Sequence, residues 1–201
     1  MRVTAYQEKR EAILQTAAKI FARKGYYGSG LQELLAACGI PKGSFYHYFP
    51  GGKEELAVEL VRYAYEIMER GIQARLFSRS NDAVYVFSHM ARHLAQRVTE
   101  TDDQLVSLLM TFLGIESVYI SPRLSRACAD VYTRWQELYR NKLLLGGYDE
   151  QMAQALSISL FALVHGALIS SWIKQDPSDL LAMEKAVPLL LPPPASAPLP
   201  L

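Results

Sequence analysis

One short segment of the chain places several hydrogen-bond donors on a single side of a predicted helix. Residues 39–56 read GIPKGSFYHYFPGGKEEL. Proline favours the first helical position, so we expect the helix to begin near Pro41. At 100° per residue, one side carries polar or small residues, namely Lys42, Gly43, Tyr46 and His47. The other side carries aromatic residues, namely Phe45, Tyr48 and Phe49. The aromatic side can anchor the helix, which leaves the donors free to contact a partner such as phosphate.

The helices that must position this segment lie upstream. Residues 6–25, YQEKREAILQTAAKIFARKG, repeat apolar residues every three or four positions and end in a lysine and a glycine, which predicts a first helix. Ser29 followed by Gln32 fits a capping box that opens a short second helix, GLQELLAAC. Gly39 then supplies a residue able to take a positive φ in a tight turn. Two short helices joined by such a turn predict a helix-turn-helix, whose second helix enters the major groove.

The donors of the second short helix have expected roles in a DNA complex. Lys42 and the Gly43 backbone are expected to meet base edges, because a residue without a side chain permits close approach. Tyr46 and His47 are expected to hydrogen-bond phosphate oxygens, which positions the helix without reading sequence. For Tyr46, packing in the core is the alternative interpretation.

Two further helix starts can contribute donors. Lys53, just inside the fourth helix, can bind one phosphate together with the first amides of that helix. Ser29 and Gln32 can bind a phosphate in the same way at the start of the second helix. The complete set of candidate DNA-binding residues is Ser29, Gln32, Lys42, Gly43, Ser44, Tyr46, His47 and Lys53.

The charge distribution agrees with a nucleic-acid partner. Residues 1–53 contain eight Lys or Arg against three Glu, a balance of +5, which leaves −4 for the rest of a chain whose net charge is +1. A basic segment is commonly only a solvated face. Combined with a short helix that exposes donors, it predicts an electrostatic footprint for phosphate.

The same residues carry a family resemblance. The run AAKIFARKGYYGSGLQELLAACGIPKGSFYHYFPGGKEEL resembles the N-terminal DNA-binding domain of TetR-type repressors, and GLQELL and PKGSFYHYFPGGKEEL resemble its LmrA/YxaF-like branch. The resemblance covers roughly residues 7–60. Leu35, in place of a usual alanine, and one extra glycine in FPGGKEEL depart from the broad family and agree with the branch. The resemblance implies the contacts given above, a homodimer, and an inducer cavity in the C-terminal domain.

Beyond residue 56 the chain predicts helices and no strand. Breaks at SRSND, ETDD, ISPR, LGGYDE and QDPSD separate helices at about 53–77, 82–99, 104–114, 122–145, 149–174 and 177–190. The expected fold is all-α with about nine helices. A three-helix helix-turn-helix head, residues 1–52, precedes a ligand-binding and dimerisation bundle, residues 53–190, and a disordered proline-rich tail, residues 191–201.

The bundle is rich in aromatic and methionine side chains. Most of them must form core, but such residues also suit a flat, small apolar or aromatic effector. The candidate ligand-binding residues are Tyr65, Met68, Phe87, Met90, Met110, Phe112, Trp135, Phe161 and His165.

The apolar helix 149–174 is the expected dimer interface. Its small residues would allow two backbones to approach closely, with an ordinary contact inside one chain as the alternative. The candidate interface residues are Ala162, Gly166, Ser170 and Trp172.

Other classes of function lack support in the sequence. No metal-binding spacing, nucleophile motif or cofactor motif is present, so we expect no metal, no cofactor and no enzymatic activity. Residues 155–173 carry no Asp, Glu, Lys or Arg and approach the length of a membrane span, but four serines, a histidine and a glycine favour a buried helix instead. No secretory signal is visible, which predicts a cytoplasmic protein.

Three functional hypotheses follow. The first is a dimeric, ligand-responsive transcriptional repressor that binds a palindromic double-stranded DNA operator. The second is a ligand-independent architectural DNA-binding protein with the same head. The third, an enzyme, has no motif in its favour.

Overall fold

The computed structural model describes residues 4–98 and 105–194, without the side chains of residues 105–108. Within these ranges the chain forms nine α-helices and no strand, which confirms the all-α prediction. The helices are α1 (Ala5–Gly28), α2 (Leu31–Cys38), α3 (Lys42–Tyr48), α4 (Gly52–Ile72), α5 (Ala83–Arg97), α6 (Leu105–Ile120), α7 (Pro122–Leu145), α8 (Glu150–Lys174) and α9 (Ser178–Leu190). A π-helical segment, Gln73–Phe77, follows α4 directly.

The ends of several helices follow from local chemistry. The side chains of Asp82 and Asp149 accept hydrogen bonds from the amides three residues on, which caps α5 and α8. Gly39 ends α2 with a φ of 61°, as its glycine predicts. Gly25 interrupts α1 with a φ of 67°, so the regular part of α1 ends where the sequence predicted. α6 is longer than its predicted range of 104–114, because the helix continues to the residue before the Ser121–Pro122 junction.

The chain divides into two compact units. Unit 1 comprises Met1–Met68 and Asp102–Val131, and unit 2 comprises Glu69–Thr101 and Tyr132–Leu201. The division therefore falls inside α4, after Met68, and not at the predicted boundary between residues 52 and 53. The reason is that α6 packs along α1, which places α6 in the same unit as the helix-turn-helix.

Each unit has its own apolar core. In unit 1, α1, α2, α3, α4 and α6 contribute nearly inaccessible side chains, including Ile13, Phe21, Leu34, Phe45, Phe49, Leu60 and Leu113. In unit 2, α5 and α8 pack against α9, and the core includes Phe87, Met90, Tyr139, Leu160, Leu180 and Met183. The predicted tail does not begin at residue 191, because Leu191 is buried in unit 2. Residues 195–201 of that predicted tail lie outside the described residues.

Candidate nucleic-acid interface

The short helix α3 has the two-sided character that its sequence predicts. Phe45 and Phe49 are fully buried, and their rings lie 5.6 Å apart. On the opposite side, four residues are exposed, namely Lys42, Gly43, Tyr46 and His47. Tyr48 and Ser44 are half-buried. The aromatic residues thus fix α3 in the core of unit 1 and leave the donors on its outer surface.

Gly43 lies in the exposed first turn of α3 without an internal reason to be glycine. A Cβ added at Gly43 would meet no atom within 4 Å, and Gly43 does not have a positive φ. Glycine in a helix costs about 1 kcal/mol relative to alanine, so folding alone would favour another residue here. The open space beside Gly43 is compatible with the predicted close approach of a partner.

Tyr46 combines packing with exposure. Its ring stands edge-on to Phe45, with centroids 5.6 Å apart, while 40% of the residue remains accessible. A Cβ built on Gly52, at the start of α4, would lie 3.5 Å from Tyr46 Cε1 and 4.0 Å from the Tyr46 hydroxyl oxygen. The Tyr46 hydroxyl is therefore held beside the first turn of α4, at the surface. Core packing, the alternative interpretation, therefore describes only the part of the Tyr46 ring that contacts Phe45.

The structure adds Tyr6 to this surface, a residue that the sequence did not single out. Tyr6, in the first turn of α1, packs its ring 4.9 Å from that of Tyr48 and 5.6 Å from that of His47. Tyr6 is exposed, so its hydroxyl belongs to the same outer face as His47. Because the contact joins residues about forty positions apart, no local spacing in the sequence indicates it.

Ser29 does not have the exposed position that the sequence predicted for a DNA-binding residue. The residue is fully buried, and its hydroxyl donates to the Gly25 carbonyl oxygen at 2.6 Å. The N-cap of α2 is Gly30, which has no side chain to cap the helix, so the predicted capping box is absent from α2. Gln32 is exposed on the first turn of α2 and can still reach a partner.

Lys53 makes contacts inside unit 1 that the sequence does not predict. Its ammonium donates to the Tyr26 carbonyl oxygen and lies 4.2 Å from the centroid of the Tyr26 ring. Burial lowers the pKa of Lys53, and the nearby Glu116 carboxylate opposes that shift. The Lys53 ammonium thus has a partner inside unit 1 while the residue stays half-exposed, and its contact with phosphate stays a prediction.

Half of the basic residues of the N-terminal segment remain available to a polyanion. Arg10 pairs with Glu59 at 3.0 Å and lies over the Phe49 ring, and Lys24 pairs with Glu33 at 2.6 Å. Four others are exposed and form no ion pair within the described part of the chain, namely Lys9, Lys19, Arg23 and Lys42. The candidate interface therefore comprises α3, the start of α1 and exposed Gln32, together with exposed positive charge on the head.

Five of the predicted ligand-binding residues lie in unit 2, in an aromatic cluster. Phe161 lies near the rings of Tyr132, Tyr139 and His165, with centroids 5.2, 6.4 and 4.0 Å away. Trp135, Phe87 and Met90 contact Tyr139, whose buried hydroxyl donates to the Met90 sulfur at 3.5 Å. Burial raises the pKa of the Tyr139 hydroxyl well above its ordinary value.

His165 is the polar member of the cluster. Its Nδ1 lies 3.0 Å from the Phe161 carbonyl oxygen, which favours the tautomer with the proton on Nδ1. Nε2 then keeps its lone pair as an acceptor. Burial lowers the pKa of His165, so the imidazole is held neutral.

The other four predicted ligand-binding residues belong to unit 1, and one of them, Phe112, is exposed. Tyr65 and Met110 are buried and Met68 is half-buried, whereas Phe112 is 44% exposed on the outer side of α6. Phe112 therefore does not line an enclosed site in unit 1. A groove of about 580 Å³ in unit 2 is lined by Asn81, Tyr148 and Leu191 among others, and none of the nine predicted residues lines it.

The predicted interface residues on α8 divide into two pairs. Ala162 and Gly166 are exposed, and a Cβ at Gly166 would meet no atom within 4 Å. Ser170 was predicted at the dimer interface, but its hydroxyl donates to Asp179 of α9 in the same chain. Trp172 is half-buried, and its buried indole N–H has no hydrogen-bond partner among the described residues.

The exposed side of α8 carries an apolar stripe in its central and C-terminal parts. Besides Ala162 and Gly166, it includes Ile158 and the 78% exposed Ile173. These residues recur at intervals of about one or two helical turns, so they form one stripe. The neighbouring α9 exposes Leu181 and Leu189. An apolar stripe of this kind is typical of a surface that another chain covers.

Within residues 4–98 and 105–194, no group of three His, Cys, Asp or Glu lies close enough to hold a metal ion. Among the described helices, α8 alone is long and apolar enough to cross a bilayer, a property that the core helix of a soluble protein shares. Its opposite side is buried against the rest of unit 2 by residues such as Leu160, Val164 and Leu168.

Two family models match the chain. Residues 13–60 match the model of bacterial regulatory proteins of the tetR family. Residues 83–186 match the model of the C-terminal domain of LmrA/YxaF-like transcriptional regulators. The first range contains the whole candidate interface except Tyr6 and Lys9, and the second contains α5–α8 and most of α9.

Individual relatives agree with both models. The chain is 32% identical to the HTH-type transcriptional regulator YxaF of Bacillus subtilis, over 94% of this chain and 98% of the relative. It is also 32% identical to the HTH-type transcriptional regulator LmrA of the same strain, over 93% and 98%. Among solved structures, the reduced form of Escherichia coli NemR is similar in fold, with a TM-score of 0.80 and 23% identity over 93% of this chain and 100% of that one.

Proposed function

Because the chain belongs to the TetR family of bacterial transcriptional regulators, which bind DNA through a helix-turn-helix and act as dimers, we propose that it is a ligand-responsive repressor. The family match confirms the resemblance inferred from residues 7–60, and members of the family are DNA-binding regulators rather than enzymes. In this proposal, a homodimer binds a palindromic operator in the cytoplasm and a small apolar or aromatic effector releases it. The names of two relatives, the transcriptional repressors DhaR and NemR, support repression.

The observation that carries the DNA-binding part is the outer side of α3. Gly43 is exposed and has no internal reason to lack a side chain, while Lys42, Tyr46 and His47 surround it with donors. A helix that only completed a core would gain stability from alanine at Gly43. We assign base contacts to Lys42 and the Gly43 backbone, and phosphate contacts to Tyr46 and His47.

Two groups at the edge of α3 extend this assignment. Gln32 is exposed at the start of α2, where free amides favour an anion. Tyr6 supports His47 and presents its own hydroxyl on the same face. Ser29 is not retained as a DNA ligand, because it is occupied inside unit 1, whereas the contact of Lys53 with phosphate stays a prediction.

The proposed dimer interface is the exposed stripe of α8. Ala162 and Gly166 leave room for a second backbone, and Ile158 and Ile173 provide apolar surface to bury. A two-fold interface of this kind lets two copies of α3 meet two half-sites, which is the geometry that a palindromic operator requires.

The proposed effector site is the aromatic cluster of unit 2. Phe161, Tyr132 and Trp135 offer flat apolar surfaces, and neutral His165 offers one acceptor. Because the cluster contains no charged side chain, it favours an uncharged ligand. Binding changes operator affinity only if the ligand prefers one of the two states of the protein.

Selection of duplexes from a random pool tests the proposed function. The purified protein should enrich inverted repeats with half-sites spaced by about one helical turn, 10–10.5 base pairs, or a multiple of it. We expect a specific Kd of about 10⁻⁸ to 10⁻¹¹ M in fluorescence anisotropy. Equal binding to all duplexes would instead favour the ligand-independent architectural protein. Screening of uncharged aromatic compounds for thermal stabilisation then tests the effector site, since a ligand of the folded state raises the Tm.

A further inference from the structure

The turn that joins α1 to α2 is bound by a carboxylate from α6. The Tyr26 amide donates to Glu116 Oε2 at 2.6 Å. A Cβ built on Gly25 would lie 2.7 Å from Glu116 Oε1, and Gly25 has a φ of 67°. The Glu116 carboxylate therefore occupies the space beside a glycine where a side chain would stand. Glycine at position 25 serves both the turn and the approach of Glu116.

The backbone of the same residue is also bound by a side chain of α4. The Lys53 ammonium donates to the Tyr26 carbonyl oxygen and contacts the Tyr26 ring. Opposite charges from two helices thus hold the amide and the carbonyl of one residue. Charge-assisted hydrogen bonds of this kind are about twice as strong as neutral ones, so they define the position of the turn well.

Two further hydrogen bonds join the same elements. The Tyr27 hydroxyl donates to the Tyr119 carbonyl oxygen in α6 at 2.9 Å. Ser121, directly after α6, donates to Glu54 Oε1 in the first turn of α4 at 2.7 Å. The last turns of α6 are therefore linked by side chains to the turn before the helix-turn-helix and to the helix after it.

Glu116 is an unusual residue for its helix. α6 reads LVSLLMTFLGIESVYI, in which Glu116 is the single Asp, Glu, Lys or Arg. An apolar helix does not need a carboxylate for its own packing, and a half-buried one is costly unless it is hydrogen-bonded. Its partner is the Tyr26 backbone, so the contact, rather than the helix, accounts for the residue.

The contact also joins the two parts of the chain that the family models distinguish. Tyr26 and Lys53 lie in the matched DNA-binding domain, and Glu116 lies in the matched C-terminal domain. Any coupling between a bundle ligand and DNA needs a contact that differs in free energy between the two states. A polar contact with defined geometry can supply such a difference, whereas an apolar contact can slide with less loss.

We propose that Glu116 is a positioning residue for DNA binding, which couples α6 to the recognition helix through the Tyr26 backbone. This inference rests on the proposed function and adds a route between its two sites. A movement of α6 would change the hydrogen bonds that Glu116 and Lys53 make to the Tyr26 backbone, and so the position of the turn that leads into α2 and α3. Coupling is reciprocal, so DNA bound at α3 must also alter α6.

Hydrogen exchange tests this coupling without an effector. The probe is a duplex that the wild-type protein has selected from a random pool, and the readout is amide exchange in residues 109–120 with and without that duplex. In the wild type we expect the duplex to change exchange in 109–120 by about threefold or more, besides slowing it in residues 42–48. In Glu116→Ala the change in 109–120 should disappear while residues 42–48 remain protected.

Two variants separate positioning from general stability. Glu116→Gln keeps an oxygen that accepts from the Tyr26 amide, so it should restore at least about half of the response. Glu55→Ala is the matched control, because Glu55 Oε2 accepts at the same distance of 2.6 Å from the amide of Gly51, which precedes α4, and not from the turn between α1 and α2. It removes the same charge and should leave the response of 109–120 as in the wild type.

The outcomes distinguish this inference from the proposed function. A wild type that selects no duplex contradicts the proposed function itself. A wild-type response in 109–120 that is unchanged in Glu116→Ala overturns the inference and leaves the function intact. Should Glu116→Ala fail to fold, Lys53→Met removes the other half of the contact. It should reduce the response at least about twofold, and an unchanged response would again overturn the inference.

Discussion

The ring of Tyr6, in the first turn of α1, stands edge-on to the ring of His47 in α3, with centroids 5.6 Å apart and planes at 89°. Tyr6 also packs against Tyr48, 4.9 Å away. The start of α1 therefore holds the end of the proposed recognition helix. His47 can keep a defined orientation at the surface because an aromatic neighbour from another helix supports it.

Removal of the Tyr6 ring should weaken DNA binding. Aromatic pairs contribute about 0.5–1.5 kcal/mol beyond the area they bury, so we expect Tyr6→Ala to raise the Kd for the selected operator roughly two- to tenfold. Tyr6→Phe keeps the ring and should stay within about twofold of the wild type if Tyr6 acts by supporting His47. A loss in Tyr6→Phe equal to that in Tyr6→Ala would show that the hydroxyl, not the ring, is responsible. Fluorescence anisotropy measures both.

Gly43→Ala should separate stability from DNA binding. The new methyl group meets no atom of the chain, so the variant should raise the free energy of unfolding by about 0.5–1 kcal/mol in urea titration. It should nevertheless weaken operator binding, because the methyl group stands where the DNA must approach. Gly71→Ala is the matched control, since Gly71 is also helical and its Cβ also meets open space. It should gain similar stability without loss of affinity, and equal affinities for both variants would contradict the role of Gly43.

The sequence predicted those features of the head that depend on neighbouring residues. Gly39 has the positive φ that its turn requires, and Phe45 and Phe49 are buried as their helical spacing predicts. These outcomes follow from backbone sterics and helical periodicity, which act over a few residues.

The sequence could not predict which partner each of three side chains would take. Ser29 fits a capping motif, but its hydroxyl donates instead to the Gly25 carbonyl within the turn that Gly25 creates. Lys53 fits a phosphate contact at a helix start, but the Tyr26 carbonyl competes for its ammonium from 27 residues away. Phe112 fits a ligand cavity by composition, yet it faces outward because Leu109 and Leu113 take the buried side of α6. For Lys53 and Phe112, tertiary packing decided among partners that local spacing leaves equivalent, whereas for Ser29 the positive φ of Gly25 placed a competing acceptor four residues away.

Gly166→Leu should disrupt the dimer without unfolding the monomer. A side chain at Gly166 points into open space within one chain, so intrachain packing gives no reason for destabilisation. In the dimer it would separate the two α8 helices. We therefore expect the Kd for dimer dissociation, measured by analytical ultracentrifugation, to rise at least about tenfold. Gly71→Leu is the matched control, since Gly71 is a helical glycine of α4 whose Cβ also meets open space, and this variant should remain a dimer. A wild type that is monomeric both free and on DNA would contradict the interface.

His165 should make the stability of the protein depend on pH. Burial lowers its pKa in the folded state, whereas in the unfolded chain it titrates near its ordinary value. As pH falls through that ordinary value, the unfolded state binds the proton first, so stability decreases. Between about pH 7.5 and pH 5.5, the wild type should therefore lose more unfolding free energy than His165→Asn, which cannot titrate. Parallel losses in urea titrations of the two proteins would contradict a neutral His165 with a lowered pKa.

The most direct test of the central claim compares two α3 variants on two duplexes. The measurement is the Kd of wild type, Lys42→Ala and Tyr46→Ala for the selected operator and for an unrelated duplex of equal length, by fluorescence anisotropy at matched salt. If α3 reads DNA as proposed, Lys42→Ala should lose roughly 5- to 150-fold on the operator and much less on the unrelated duplex. Tyr46→Ala should weaken binding to both duplexes by a similar factor, because phosphate contacts carry no sequence information. Wild-type affinities for both variants on both duplexes would contradict the assignment of α3 as the DNA-reading helix.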